Sequence, residues 1–346
     1  MNRTNTLKKL LFPALAIVLI IVLTFLATRP RTAKTNDSKA LNVLNWTSYI
    51  PTEVIKAFEQ ETGIKVNYGT YSSNEELLAK LTSSQPGTYD VVFPSDYMVD
   101  LLISKNMLAP LDHTKLKNEQ NLNPLFLHQP YDEENEYSLP FLLATTVFLY
   151  DSTKIDRLTS YKDLQNESLR NNLVLLDDQR IIIGAMLNAV GYNMNDTHAD
   201  HLNESLEFFN KIKPNIKAFD SDSPKTFFIT KEVDAGLVWN AEATLAIDEN
   251  PDLKISYPAE GFTLSQDNYV ILKDSKNLDA AHQFINFLLR DDISQAIVDE
   301  YPYISPNKSV ASLPDNELEI IFKNGSFVQN VGADIKAFDK LWAKYK

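Results

Sequence analysis

The chain has 346 residues, no cysteine, and 46 acidic against 33 basic side chains, a formal net charge of −13. That balance argues against nucleic acid as a partner, and the missing thiols exclude disulfides, thiol catalysis and lipid attachment at cysteine. Only nine glycines serve the whole length, so phosphate-cradling glycine loops are not expected.

Arg3, Lys8 and Lys9 precede an apolar run from Leu10 to Ala27 that only Pro13 interrupts, the layout of an export signal. The run meets the roughly 17–25 residues that a bilayer span needs. Phe25-Leu26-Ala27 puts an aromatic where signal cleavage wants a small residue. Residues 1–30 are therefore expected to stay as a membrane anchor, with cleavage as the alternative. The body is expected on the outer face of the cell membrane or in the periplasm, anchored or secreted through residues 10–27. Residues 31–40 are polar and read as a tether. Seven Lys/Arg and one Asp lie before Leu41, so the rest carries 26 of the basic and 45 of the acidic side chains, a formal charge of −19. Such a surface concentrates cations, although it also serves solubility.

From Leu41 to Trp46 the apolar residues alternate as in a strand. Pro51 suits a first helical turn, Val54, Ile55 and Phe58 share a face, and Gly63 stops the helix. Ile64 to Tyr68 reads as a second strand, Ser73 and Glu76 as a capping box, and Tyr89 to Phe93 as a third strand broken by Pro94. This βαβαβ order predicts a parallel sheet. Tyr137 to Tyr150 is apolar and long enough to cross into a second lobe. There, Leu173 to Leu176 and Asp234 to Trp239 read as strands followed by helices, and Asp267 to Leu272 reads as the return crossing. A helix from Leu278 to Arg290, with Ala281, Phe284, Ile285 and Leu288 at helical spacing, would pack on the first lobe.

Ligands of open α/β sheets bind beyond the carboxyl ends of the strands. At those predicted ends stand Trp46-Thr47-Ser48-Tyr49, Pro94-Ser95-Asp96-Tyr97, Asp177-Asp178, Trp239-Asn240-Ala241-Glu242 and Asp267, with no lysine among them. Carboxylates alternating with indole and phenol rings suit an organic cation, since each buried ammonium needs an acid and ring faces attract charge. Each residue also has a plainer reading. Trp46 and Trp239 can be core aromatics, Asp177, Asp178 or Ser95 helix caps, Glu242 a dipole complement and Asp267 a turn residue. Their convergence carries the case. Walker, Gly-x-Ser-x-Gly, dinucleotide and His-Glu-x-x-His motifs are absent. His198 and His201, beside Asp196 and Asp200, read as an acidic helix start, and no metal or cofactor is expected.

The chain resembles the spermidine/putrescine-binding proteins of polyamine ABC importers from about Leu41 to the end. The resemblance lies in Asn45-Trp46-Thr47-Ser48-Tyr49, Glu61 to Val66, Tyr89 to Ser95, Tyr137 to Pro140, Leu176-Asp177-Asp178, Trp239-Asn240, Phe284 to Arg290 and Ser305-Pro306-Asn307. It implies an α/β, two-lobed periplasmic-binding-protein fold (type II), each lobe a mixed, mostly parallel sheet flanked by helices, with the ligand cleft between lobes. The lobes would comprise residues 41–145 with 269–315, and 146–268 with 316–346. It implies ligand contacts at Trp46, Ser95, Tyr97, Asp178, Trp239, Asp267 and Tyr303, with Thr47 and Glu242 added beside them. Three positions depart from the pattern: Ile181 replaces a Glu, Ser265 a Trp, and Val328 a Gln, although Gln329 is adjacent. Glu242 matches an acidic position of putrescine-selective relatives and is expected to replace the carboxylate lost at Ile181. The expected function is capture of spermidine or putrescine by closure of the two lobes, without catalysis, for delivery to the permease subunits of an ABC importer. A monomer is expected. The alternatives are a receptor of the same fold for an iron complex, a cationic vitamin or a sugar, a two-carboxylate carbohydrate hydrolase, or an adhesin.

Overall fold

The computed structural model describes residues 40–310 and 313–346. The apolar run Leu10–Ala27 and tether residues 31–39 lie outside the described residues; among the described residues, no helix is long and apolar enough to cross a membrane.

The first sheet forms from the predicted alternation of strands and helices. Strand β1 (Leu41–Trp46) leads into helix α1 (Thr52–Thr62), which buries Val54 and Phe58. Pro51 sits just before the first turn, and Gly63 ends the helix with φ 72°, a left-handed conformation that favours glycine. Strand β2 (Val66–Tyr71) pairs parallel with β1 from Leu41↔Val66 to Trp46↔Tyr71. It starts two residues later than the expected Ile64, because the ladder follows the six residues of β1. Helix α2 (Asn74–Ser83) has half the expected capping box. The Ser73 hydroxyl accepts from the Glu76 amide at 3.1 Å, but the Glu76 carboxylate accepts from Ser72 instead of Ser73. Strand β3 shrinks to Val91–Val92, with Pro94, which offers no amide, just beyond it; the Asp90 carboxylate accepts from Asn42, Ser275 and Asn277. Helix α3 (Asp96–Ser104) and the short β4 (Leu108–Ala109) follow.

Strand β5 (Ser138–Asp151) is buried along its whole length and belongs to both halves of the molecule. The second half contributes β6 (Leu173–Leu175), α4 (Gln179–Ala189), α5 (Ala199–Ile212), β7 (Ile216–Phe219), α6 (Lys225–Ile229), β8 (Ala235–Trp239), α7 (Asn240–Glu249) and β9 (Leu253–Ser256). The chain then returns through β10 (Phe262–Leu272). Residues Ser138 to Thr145 of β5 pair with β10, and Thr146 to Asp151 pair with β8 and β9. The strand thus changes partner between two threonines. Strand β6 lies parallel between β7 and β8.

Helix α8 (Leu278–Leu288) buries Ala281, Phe284, Ile285 and Leu288, as the spacing predicts, and sets Phe284 edge-on to Phe58 of α1 at 4.9 Å. Helix α9 (Asp291–Glu300), helix α10 (Asp315–Asn324) and strand β11 (Gly325–Phe327) follow, and α11 (Ile335–Tyr345) closes the chain. Its Tyr345 ring stacks on Phe209 of α5 at 3.8 Å. The apolar core accordingly gathers in separate clusters. One forms around Phe58, Phe93, Phe141 and Phe284, and another around Phe148, Ile182, Phe209 and Phe338. Each buried ring contributes roughly 1.5–3 kcal/mol relative to an exposed one.

Candidate functional site

The carboxyl ends of β1, β3, β6, β7 and β8, together with the middle of β10, face one cavity of about 110 Å3. That is several times the 10–15 Å3 or so that one water requires. All nine residues singled out from the sequence line it: Trp46, Thr47, Ser95, Tyr97, Asp178, Trp239, Glu242, Asp267 and Tyr303. The three departing positions, Ile181, Ser265 and Val328, line it as well.

Asp267 is the most constrained group. The register of β10 against β5 shifts between Asp267 and Asn268, and such bulges re-aim a side chain. The carboxylate is 2% exposed, and its Oδ1 finds no hydrogen-bond partner among the described residues. Burial raises its pKa to about 7, while the polar atoms of Ser95, Tyr49 and Trp46 pull the other way. Around it the Trp46 ring lies 4.7 Å from Tyr71 and 6.2 Å from Tyr49, and Tyr49 lies 4.8 Å from Tyr303. The indole of Trp46 is fixed by donating to the Phe93 carbonyl at 2.8 Å, and the Tyr71 hydroxyl donates to the same oxygen at 2.6 Å. Ser95 does not cap α3; its hydroxyl accepts from Asn74 at 3.0 Å, and its backbone forms an isolated bridge with Asp267. Trp239 is half-buried and packs against core residues of both halves, so neither the core reading nor the site reading describes it alone. Thr47 is exposed at the mouth.

Asp178 combines its two readings. One oxygen caps α4 by accepting from the amides of Arg180 and Ile181 at 2.8 and 3.0 Å. Burial raises its pKa to about 6, and those same amides oppose the rise. Asp177 is exposed and pairs with Lys346 at 2.5 Å. Tyr97 donates to Glu75 at 3.1 Å.

The cleft also holds charges that the sequence reading did not place there. Arg180 is the one cationic side chain lining the cavity among the described residues. It donates to the Gln329 carbonyl and to Asn195, both at 3.0 Å, and its guanidinium lies 4.6 Å from the Phe338 ring and 6.0 Å from that of Tyr97. A legible sign existed, because a cation in a first helical turn opposes the helix dipole and needs another reason to be there. Lys225 follows β7, a strand the sequence reading did not identify. Its ammonium meets both Glu242 oxygens, at 2.7 and 2.8 Å. No lysine stands among the strand ends named from the sequence, but Lys225 comes from this further segment. Ile216-Lys217-Ala218-Phe219 alternates before a Ser/Asp/Pro turn, and that was the available signal. Glu242 itself is buried, which raises its pKa, and Lys225 counteracts the rise. Its expected role as a free substitute for the carboxylate missing at Ile181 meets an acid already paired. Away from the cleft, Asp196, His198 and His201 come within 4.8 Å of one another at the start of α5, with both rings directed at the Asp196 carboxylate.

Residues 53–322 match the family of bacterial extracellular solute-binding proteins. The chain belongs to that family. A spermidine/putrescine-binding periplasmic protein of Salmonella typhimurium is 36% identical over 288 residues, covering 83% of each chain. A solved structure described as a putative spermidine/putrescine ABC transporter from Listeria monocytogenes superposes with a TM-score of 0.83 at 32% identity, covering 88% of this chain and 98% of the other. The Tp0655 lipoprotein of Treponema pallidum does so with 0.81 at 27% identity, covering 89% and 99%. The solute-binding protein therefore has the two-lobed α/β fold expected of it, with β5 pairing first with β10 and then with β8 and β9.

Proposed function

We propose that this chain is the extracytoplasmic receptor of a polyamine ABC importer, holding a linear polyamine of the spermidine and putrescine class between its lobes and presenting it to membrane-spanning permease subunits. One observation carries the reading: a buried carboxylate with an unpartnered oxygen, Asp267, in the wall of an aromatic-lined cavity. A buried anion without a counterion is costly, and an arriving ammonium removes that cost. A neutral sugar does not. Indole and phenol faces over the methylenes and ammonium groups contribute roughly 0.5–2 kcal/mol per cation–π contact. The names of the related proteins support the same ligand class.

In this reading Asp267 and Asp178 each hold an ammonium group. Trp46, Tyr97, Trp239 and Tyr303 cover the chain between them, while Thr47 and Ser95 supply polar edges. The ligand bridges half-sites on the two lobes and stabilises their closed arrangement; no bond of the ligand is made or broken. Residues 10–27 anchor a monomer beside its permease, raising its local concentration there.

Calorimetry with putrescine, spermidine, spermine and butane-1,4-diol tests the reading. Saturable binding of at least one amine and none of the diol is expected. Equal binding of the diol, or heat from no amine, would sink it. Full-length mass of the chain in the membrane fraction tests the anchor, and a product trimmed near Ala27 would replace anchoring with secretion.

A further inference from the structure

We infer that Lys225 is a specificity-determining residue: its ammonium permanently occupies one of three acidic subsites, so that the cleft takes a ligand with two ammonium groups in preference to one with three. The inference rests on the polyamine reading and refines it.

Three buried or half-buried carboxylates face the cavity: Asp178, Asp267 and Glu242. They differ in what already satisfies them. Asp267 has an oxygen without a partner among the described residues. Asp178 spends one oxygen on two helix amides and lies in the field of Arg180. Glu242 has both oxygens on Lys225, at 2.7 and 2.8 Å, with the two side chains 11% and 27% exposed. A buried, doubly hydrogen-bonded pair is satisfied as it stands, so Glu242 gains little from a second ammonium.

Glu242 belongs to the wall of the site, and Lys225, itself outside the lining, reaches it from the neighbouring turn. Ser221 and Asp222, in the turn that delivers Lys225, line the cavity alongside Glu242. Glu242, Asp267 and Tyr303 line the same cavity, and the charges of both acids act on the Tyr303 hydroxyl. The other acids of that turn do not substitute for Glu242: Asp222 is exposed, and Asp220 accepts from the amides of Asp222 and Ser223. A third ammonium entering beside Tyr303 would therefore meet the charge of Lys225 with no free carboxylate to offset it. A diamine reaching from Asp267 to Asp178 avoids that encounter.

The test is titration of the solubilised full-length protein with putrescine and with spermidine, in the wild type, Lys225→Met and Lys225→Met/Glu242→Gln. Wild type is expected to prefer putrescine. Lys225→Met frees Glu242 and should raise spermidine affinity relative to putrescine at least tenfold, and the double variant should lose that gain. A thermal midpoint for each variant verifies folding, and Lys225→Gln provides a polar replacement if Met disturbs α6. An unchanged ratio in a folded Lys225 variant, or a gain that survives in the double variant, overturns the inference while leaving the polyamine reading in place. Wild type that binds neither amine overturns both.

Discussion

Asp267 and Glu242 are both buried acids of one cleft, yet they sit in opposite electrostatic states. Asp267 lies on a bulge of strand β10, and its Oδ1 has no partner among the described residues. Glu242 opens α7 and holds Lys225 with both oxygens. Burial costs a carboxylate several kcal/mol unless a partner offsets it. The chain supplies that partner at Glu242 and withholds it at Asp267. An acid left unpaired inside a cavity is a demand for an external cation, whereas an acid paired internally shapes the boundary of the site. Counting carboxylates therefore overstates the ligand's charge, and counting uncompensated carboxylates does not.

The largest expected effect comes from removing that demand. Asp267→Asn should reduce polyamine affinity by about thirtyfold or more in calorimetry, since truncating one side of a buried charge pair costs about 2–5 kcal/mol. The same change should stabilise the ligand-free protein. A raised carboxylate pKa contributes stability that is complete below the unfolded value near 3.9 and is lost as pH rises through about 7. At pH 8 the Asn variant should melt several degrees higher than wild type; a lower midpoint would mean that Asp267 serves the fold rather than the ligand.

Next in size is the pH profile. An arriving ammonium favours the ionised acids, so binding should release protons from Asp267 and Asp178, whose values stand at about 7 and about 6 without ligand. Affinity should climb with pH up to about 7 and then level off. Below both values the slope should approach a hundredfold per unit, two protons being displaced, until the pKa values of the complex are reached. Asp267→Asn should lose the upper step. Affinity that does not change between pH 5 and 8 would contradict the assignment of charge to these two residues.

Much of this arrangement was legible because the determinants are local. Pro51 and Gly63 fix the ends of α1, period-two alternation marks β1, a short apolar run marks the buried β8, and the apolar length of Tyr137–Tyr150 marks the crossing strand. The aromatics and acids at strand ends were visible for the same reason. What escaped depends on contacts far apart in sequence. The length of β2 follows the register of β1. Arg180 is held by Gln329 and Asn195, and Asn74 meets Ser95 across α2 and α3. The pairing of Glu242 with Lys225 joins residues on two helices separated by β8, and no helical or strand periodicity encodes it.

The smallest effect is also the sharpest on the Asp267–Glu242 comparison. Lys225→Arg keeps a cation on Glu242, and the planar guanidinium can engage both oxygens in a parallel, two-bond geometry. If the compensated state of Glu242 is what matters, then the chemical identity of the cation should not. Affinity for putrescine and its ratio to spermidine should each stay within about threefold of wild type, or roughly 0.7 kcal/mol. The larger head group adds volume on the side of Ser221 and Asp222, so a loss shared equally by both amines would report crowding at the wall. A change in the ratio comparable to that of Lys225→Met would be different in kind. It would mean that the lysine acts by its shape, and that charge compensation does not separate the two acids.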